Sequence, residues 1–116
     1  MDRYTIYCTS EQTKKAIELG ALILHGTDSK EDAFTHLPTG VIMDKGNIFF
    51  IPTAEQLIGW LEERKDILFV IEKLYKTWRF GVFYKNYWKL GGKFYSRKEA
   101  TLAAIDATLE YLTNNK

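Results

Sequence analysis

The stretch LYKTWRFGVFYKNYWKLGGKFYSRKEATLAAIDATLEYL, residues 74–112, decides the fold because it passes from a period of two to a helical period at one polar residue. Alternation is clearest at Trp78, Phe80, Val82 and Tyr84, as in a half-buried strand. Ser96 precedes Glu99 by three residues, which is the spacing of a helix capping box. The stretch therefore predicts a meander of three strands followed by a helix.

Two turns divide the predicted meander. Gly91-Gly92 fits a two-residue hairpin turn, because both glycines can take a positive φ. The register around Lys85-Asn86 stays open. A two-residue loop there puts Phe83 and Trp88 on one face, whereas a three-residue loop puts Tyr84 and Trp88 there.

Two more capping patterns lie upstream, and they predict two further helices. Thr9 precedes Gln12 by three residues, and Thr53 precedes Gln56 by three. In both cases the side chains can satisfy amide groups left open at a helix start. Gly20 would end the first helix in a left-handed conformation.

The remaining segments complete an α+β prediction. Residues 40–51 (GVIMDKGNIFFI) indicate a hairpin turning at 44–46, and residues 66–71 (DILFVI) indicate a buried strand. The alternating segment before Thr9 indicates an N-terminal strand, and residues 25–38 a long loop. We expect a single domain, 1–116, in which an antiparallel sheet formed by the N-terminal strand, the hairpin and the meander is packed by about three helices.

Composition fits one small globular domain. The chain has 116 residues, of which 46% are hydrophobic and 27% charged, so one core is expected. No apolar run indicates a signal peptide or a membrane helix, and we expect a cytoplasmic protein with no membrane partner. Cys8 is the single cysteine, so no internal disulfide can form.

The last helix has two apolar faces. Leu102, Ile105, Leu109 and Leu112 form one stripe, and five small or aromatic residues lie nearly opposite: Ala100, Ala103, Ala104, Ala107 and Tyr111. A helix with one neighbouring layer needs only one such face. Either the helix lies between the sheet and another helix, or its alanine face binds a second copy of the chain.

Charge and aromatic residues concentrate in residues 73–98. That segment holds eight of the sixteen Lys and Arg residues and none of the fifteen Asp and Glu residues, so it carries +8 and the rest −7. Nine of the seventeen aromatic residues also lie there. Cations beside exposed rings are typical of a nucleic-acid surface, because cations neutralise phosphates and rings stack on bases.

We therefore expect an accessory binding module, without enzymatic activity, that binds nucleic acid through a basic, aromatic sheet. The candidate contacts are Lys76, Arg79, Lys85, Tyr87, Lys89, Lys93 and Arg97. The alternative is a protein-interaction or host-modulating module that uses the same sheet or the alanine face of the last helix, because aromatic residues and arginine are enriched in protein interfaces.

Other chemistry finds little support in the sequence, and we expect no metal or cofactor. His25 and His36 have no useful spacing from Cys8 for zinc. TDSKEDAF, residues 27–34, lacks the central glycine and terminal glutamate of a calcium loop. Cys8 lies between a predicted strand and a helix start, where a thiol can be activated, but a buried structural cysteine is the better interpretation.

Two resemblances add to this interpretation. IPTAEQLIGWLEE and YSRKEATLAAIDATLEYL resemble a group of small uncharacterised proteins of prophages and mobile elements of gut bacteria, which implies such an origin and no established activity. Three strands and a helix, with Trp78, Leu90-Gly91, Phe94 and Glu99-Ala100, are similar to the DNA-binding domain of the ethylene-response-factor type. That resemblance implies groove contacts by Arg79 and Lys89. One extra residue before Phe94 and the second apolar face of the helix depart from the pattern.

Overall fold

A computed structural model describes residues 5–21, 41–44 and 47–115, with side chains in 5–21 and 51–115. The chain divides into two compact units, Met1–Leu57 and Ile58–Lys116. The single domain therefore stays a prediction. Three helices are described: α1 (Ser10–Glu18), α2 (Ala54–Lys65) and α3 (Arg97–Asn114). Five strands are described: β1 (Val41–Asp44), β2 (Asn47–Phe50), β3 (Leu68–Leu74), β4 (Thr77–Tyr84) and β5 (Tyr87–Phe94). The α+β class is confirmed.

Each helix begins at its predicted cap. At α1, Gln12 N–H donates to Thr9 Oγ1 and Thr9 N–H donates to Gln12 Oε1, at 3.1 and 3.0 Å. The same reciprocal pair joins Thr53 and Gln56. At α3, Glu99 N–H donates to Ser96 Oγ at 3.1 Å. The prediction of three capped helices is confirmed. It could be made from sequence because each cap involves only residues three apart.

The first helix ends as predicted. Gly20 has a φ of +99°, and its N–H donates to the carbonyl of Ile17. Ala21 N–H donates to the carbonyl of Ala16. These two bonds form a Schellman motif, in which the left-handed residue costs least when it is glycine.

The C-terminal sheet is an antiparallel meander in the order β3-β4-β5. Phe83 pairs with Trp88 and Tyr84 with Tyr87, so Lys85-Asn86 is a two-residue loop and the open register is settled. Lys85 takes a φ of 47° there. The meander is confirmed, but its strands are those at 68–74, 77–84 and 87–94.

The predicted turn at Gly91-Gly92 is wrong, because both glycines lie inside β5. Gly91 pairs with Phe80, and a Cβ at Gly91 would lie 2.3 Å from Cε2 of that ring. Glycine is needed here for a close approach and not for a turn. A register shift opposite Trp78 and Phe80 follows, and Lys93 beside it takes a φ of 64°. The extra residue before Phe94 therefore falls at a β-bulge.

Three finer predictions are also corrected. The predicted N-terminal strand is not shown: within residues 5–9, Tyr7 forms one isolated bridge with Thr53. The hairpin exists, but β1 and β2 form a two-stranded sheet of their own; the turn residues 45–46 and the predicted loop at 25–38 lie outside the described residues. The strand predicted from DILFVI is not buried, because β3 is an edge strand whose residues are half-buried or exposed.

Helix α3 contacts all three strands of the meander. Tyr111 stacks on Tyr87 with ring centroids 3.8 Å apart and meets Tyr84 edge to face at 5.7 Å. At about 100° per residue, Ala100 and Ala104 share this face, and both have no exposed surface. Ala100 and Ala104 are therefore covered within the chain, whereas Ala103, Ala107 and Tyr111 are half-buried, so binding of a second copy to this face stays a prediction. Ile105 and Leu109, on the other stripe, are also fully buried.

We predict that Gly59→Ala stabilises the chain. Gly59 lies inside α2, and a Cβ there meets no atom within 4 Å. Alanine should raise the free energy of unfolding by about 0.5–1 kcal/mol because it lowers the backbone entropy of the unfolded state. Urea unfolding followed by circular dichroism measures this. Gly20→Ala is the control and should destabilise, because its φ is positive; stabilisation by both changes would contradict the argument.

We predict opposite tolerances for the adjacent glycines of β5. Gly91→Ala should lower the free energy of unfolding by about 1–3 kcal/mol, because the new methyl group overlaps the Phe80 ring. Gly92→Ala should change it by less than about 0.5 kcal/mol, since its Cβ would meet only Arg79 Cβ at 3.7 Å. The urea midpoints of the two variants and of the wild type measure this difference in stability. Equal effects would mean that Phe80 does not require Gly91.

Candidate interaction surface

The side of the meander opposite α3, here called the outer face, is apolar and exposed. Strand alternation and register assign eleven positions to it: Leu68, Val70, Glu72, Leu74, Thr77, Arg79, Gly81, Phe83, Trp88, Leu90 and Gly92. Trp88 and Leu90 are 64% and 62% exposed, and Leu68 is 58% exposed. Isolated exposed apolar residues are ordinary, but a contiguous group of them marks an interaction site.

The outer face consists of four rows that cross the strands, and the last of them holds only Leu74 and Thr77. Leu68, Phe83 and Trp88 pair in the first row. The second row, Val70, Gly81 and Leu90, lacks a side chain at its centre. In the third row Glu72 pairs with Arg79, and Gly92 lies beside Arg79. The first row therefore carries large rings, while the second and third rows carry glycines.

A pocket of about 380 Å³ opens on this face. It is lined by Gly81, Gly91 and Gly92, here called its glycine floor, by apolar side chains that include Phe83 and Leu90, and by the charged side chains Glu72 and Arg79. The Phe83 ring reaches over Gly81, because a Cβ at Gly81 would lie 2.8 Å from Cε2 of that ring. The pocket is within the size range of sites that hold a side chain or a small ligand.

Arg79 is the only cation among the eleven outer-face positions, and it is paired. Its Nε donates to Oε1 of Glu72, with both side chains about half exposed. Glu72 immediately precedes residues 73–98, so the charge of +8 given for that segment does not include it. The outer face is therefore neutral, and the cations of the segment lie elsewhere.

The structure does not bring the predicted nucleic-acid contacts onto one surface. Lys89 pairs with buried Val82 and so belongs to the α3 side of β5. Tyr87 stacks on Tyr111 of α3, while Arg79 lies on the outer face. Lys76 occupies the β3–β4 loop, Lys85 the β4–β5 loop, Lys93 the bulge, and Arg97 the start of α3.

Three of the predicted residues do lie near one another. Lys85 Nζ lies 5.5 Å from the centroid of the Tyr84 ring, and Tyr84 and Tyr87 both contact Tyr111. Lys89 follows Tyr87 by two residues on the same side of β5. This tyrosine–lysine cluster (Tyr84, Lys85, Tyr87, Lys89 and Tyr111) combines half-buried rings with two exposed cations.

Sequence analysis missed the aliphatic part of the outer face. Leu68, Val70 and Leu90 received no role, because β3 was interpreted as buried and β5 as ending at Gly91. Alternation of Leu68 and Val70 with Phe69 and Ile71 offered no signal, since all four are apolar. Only the register with β4 separates the two faces.

Of the residues considered for other chemistry, only Cys8 lies in the part of the chain that the structure describes. Cys8 is 6% exposed, and its N–H donates to the Pro52 carbonyl at 3.0 Å. In the described part of the chain no three metal-ligating side chains group together; His25, His36 and residues 27–34 lie outside it. None of the helices α1 to α3 has the length and apolar character needed to cross a bilayer.

Comparison of the chain with protein-family models, curated proteins and solved structures found no significant match. The resemblances drawn from sequence therefore stay predictions. For the ethylene-response-factor pattern, the implied pair of groove contacts is divided, because Arg79 and Lys89 lie on opposite sides of the sheet.

We predict that the Cys8 thiol reacts slowly in the native protein. Because the side chain is 6% exposed, labelling requires local opening, and the rate with Ellman's reagent should be about 100-fold or more below that in urea. The doubly substituted variant Cys8→Ser, Ser10→Cys carries an exposed position instead and should label rapidly without urea. A native Cys8 rate near the unfolded rate would contradict burial.

Proposed function

We propose that this chain is a protein-interaction module and that it binds through the outer face of its C-terminal sheet. The observation that carries the proposal is the contiguous exposure of Leu68, Trp88 and Leu90 on a neutral face. Exposed apolar side chains gain free energy when a partner removes them from water, at about 25 cal/mol per Å². A large exposed aromatic residue such as Trp88 is typical of the few residues that dominate binding energy.

The chemistry of the outer face favours a polypeptide over a polyanion. Phosphate binding needs several unpaired cations along one surface, whereas this face has only Arg79, which is paired with Glu72. Its apolar rows and glycine-floored pocket fit apolar side chains instead. On the resemblance to prophage and mobile-element proteins, the partner would be a host or phage protein.

The tyrosine–lysine cluster supports nucleic acid as a second candidate function. Lys85 and Lys89 are exposed beside half-buried rings, which is the combination that single strands require. The tyrosine–lysine cluster can stack few bases, because Tyr111 already covers one face of the Tyr87 ring, with ring centroids 3.8 Å apart. Two cations give a shallow salt dependence compared with proteins that contact six to ten phosphates.

We predict that peptide binding, and not nucleic-acid binding, depends on the outer face. A library of displayed random peptides is selected against immobilised wild-type protein at low density, and synthetic versions are titrated. Peptides rich in aromatic and aliphatic residues should bind the wild type and lose at least about 30-fold in affinity to Trp88→Glu, because a buried aromatic contact is removed.

The matched variant carries Lys85→Glu and Lys89→Glu, which change charge away from the outer face, and it should bind those peptides as the wild type does. Labelled single-stranded and duplex DNA and RNA are titrated in parallel at two salt concentrations. Salt-sensitive nucleic-acid binding that survives Trp88→Glu but not the lysine changes would support the second candidate. Peptides that bind Trp88→Glu as tightly as the wild type would overturn the proposed surface.

A further inference from the structure

The shape of the outer face suggests which polypeptide it binds. Strand β5 carries on its outer face both a large aromatic side chain, Trp88, and a position without a side chain, Gly92. The two lie four residues apart on the same side of the strand. Leu90 lies midway between them. Such a surface carries both a projection and the cavity that matches it, which is the requirement for a two-fold contact between identical chains.

We propose that two copies of this chain pair through their outer faces, with Trp88 of each copy in the glycine-floored pocket of the other. This inference rests on the proposed function and names its partner. The two-fold axis lies between the sheets and runs along the second row, Val70, Gly81 and Leu90. The β5 strands of the two copies then face each other in antiparallel directions.

Under this symmetry the first row of one copy faces the third row of the other. Trp88 meets Gly92 of the second copy, where no side chain competes for the space. Phe83 meets Arg79 of the second copy, and a guanidinium over a phenyl ring is an attractive contact. At Gly81, on the axis, the Phe83 ring and a Leu90 methyl group already lie over the backbone, and the usual separation between packed sheets is about 10 Å.

Charge and area agree with this pairing. The outer face carries one cation and one anion, in contact with each other, and the chain has a net charge of +1, so little repulsion opposes association. Five exposed apolar side chains of the first two rows (Leu68, Val70, Phe83, Trp88 and Leu90) expose on the order of 500 Å² at typical side-chain areas. A standard interface takes about 800 Å² from each partner. The exposed apolar area is smaller than this, so we expect a weak dimer.

Sedimentation equilibrium of the full chain, from about 1 to about 200 µM, tests the pairing. The wild type should pass from monomer to dimer in this range. Trp88→Ala removes the projection and Gly92→Leu fills the cavity, and each should weaken dimerisation by at least about 30-fold. A Cβ at Gly92 would meet only Arg79 Cβ, at 3.7 Å, and urea unfolding verifies that both variants fold. Lys89→Ala, on the other side of β5, should dimerise as the wild type does.

Mixing the two variants separates a specific fit from a general loss of apolar surface. In the mixed dimer, the Trp88 of the Gly92→Leu chain enters the unaltered pocket of the Trp88→Ala chain, so one of the two contacts is restored. The mixture should therefore dimerise more tightly than either variant alone. A mixture no tighter than the separate variants would overturn the contact.

A wild type that stays monomeric throughout the range would overturn the dimer. The proposed function fails separately: a monomer whose peptide binding depends on Trp88 binds other proteins and not itself, whereas a monomer with no Trp88-dependent peptide binding contradicts both. A dimer that Trp88→Ala and Gly92→Leu leave intact would place the interface elsewhere and overturn the inference.

Discussion

The position of the Phe80 ring against the backbone of Gly91 is the constraint on which both faces of the C-terminal sheet depend. Phe80 is 5% exposed and stacks on Phe94 with centroids 5.9 Å apart. The ring occupies the space of a side chain at Gly91, so β5 must pass over it with a bare backbone. The strand therefore continues through both glycines, and Gly92 is left on the outer face without a side chain. The Phe80–Gly91 contact thus places Gly92 on the outer face, and the absence of a Cβ at Gly92 itself leaves the space there.

Local interactions made the helices predictable from sequence. A cap such as Thr53 with Gln56 joins residues three apart, so its pattern means the same thing in any fold. The pair Gly91-Gly92 does not by itself predict one structure. Glycine permits a turn as well as a close approach, and only its partner in the neighbouring strand distinguishes them. That partner, Phe80, lies eleven residues before Gly91 in the sequence, and nothing local identifies it.

The candidate surface was harder to predict because charge was counted along the chain and not over faces. Successive strand residues point to opposite sides, so a run such as Trp88, Lys89 and Leu90 divides between two surfaces. Glu72, just outside the basic segment, neutralises Arg79 across the β3–β4 pair. The prediction placed strands on both sides of Lys85-Asn86, but the observed strand bounds and register distribute their residues differently over the two faces. Knowledge of the strand pairing, which the sequence left open at Lys85-Asn86, was the missing step.

A three-stranded sheet packed on one side by a single helix needs only one apolar face. Here α3 contacts all three strands, and Phe80 and Val82 are buried on that side. The apolar residues of the outer face are therefore additional to those that this packing requires. Exposed apolar residues on the edge and face of a sheet favour association. In a module that bound no partner through them, they would only increase the risk of aggregation. The outer face also carries large aromatic side chains and glycines without side chains. A flat apolar face would bind many partners, whereas a cavity formed by backbone favours an aromatic ring, so this arrangement directs association toward one geometry.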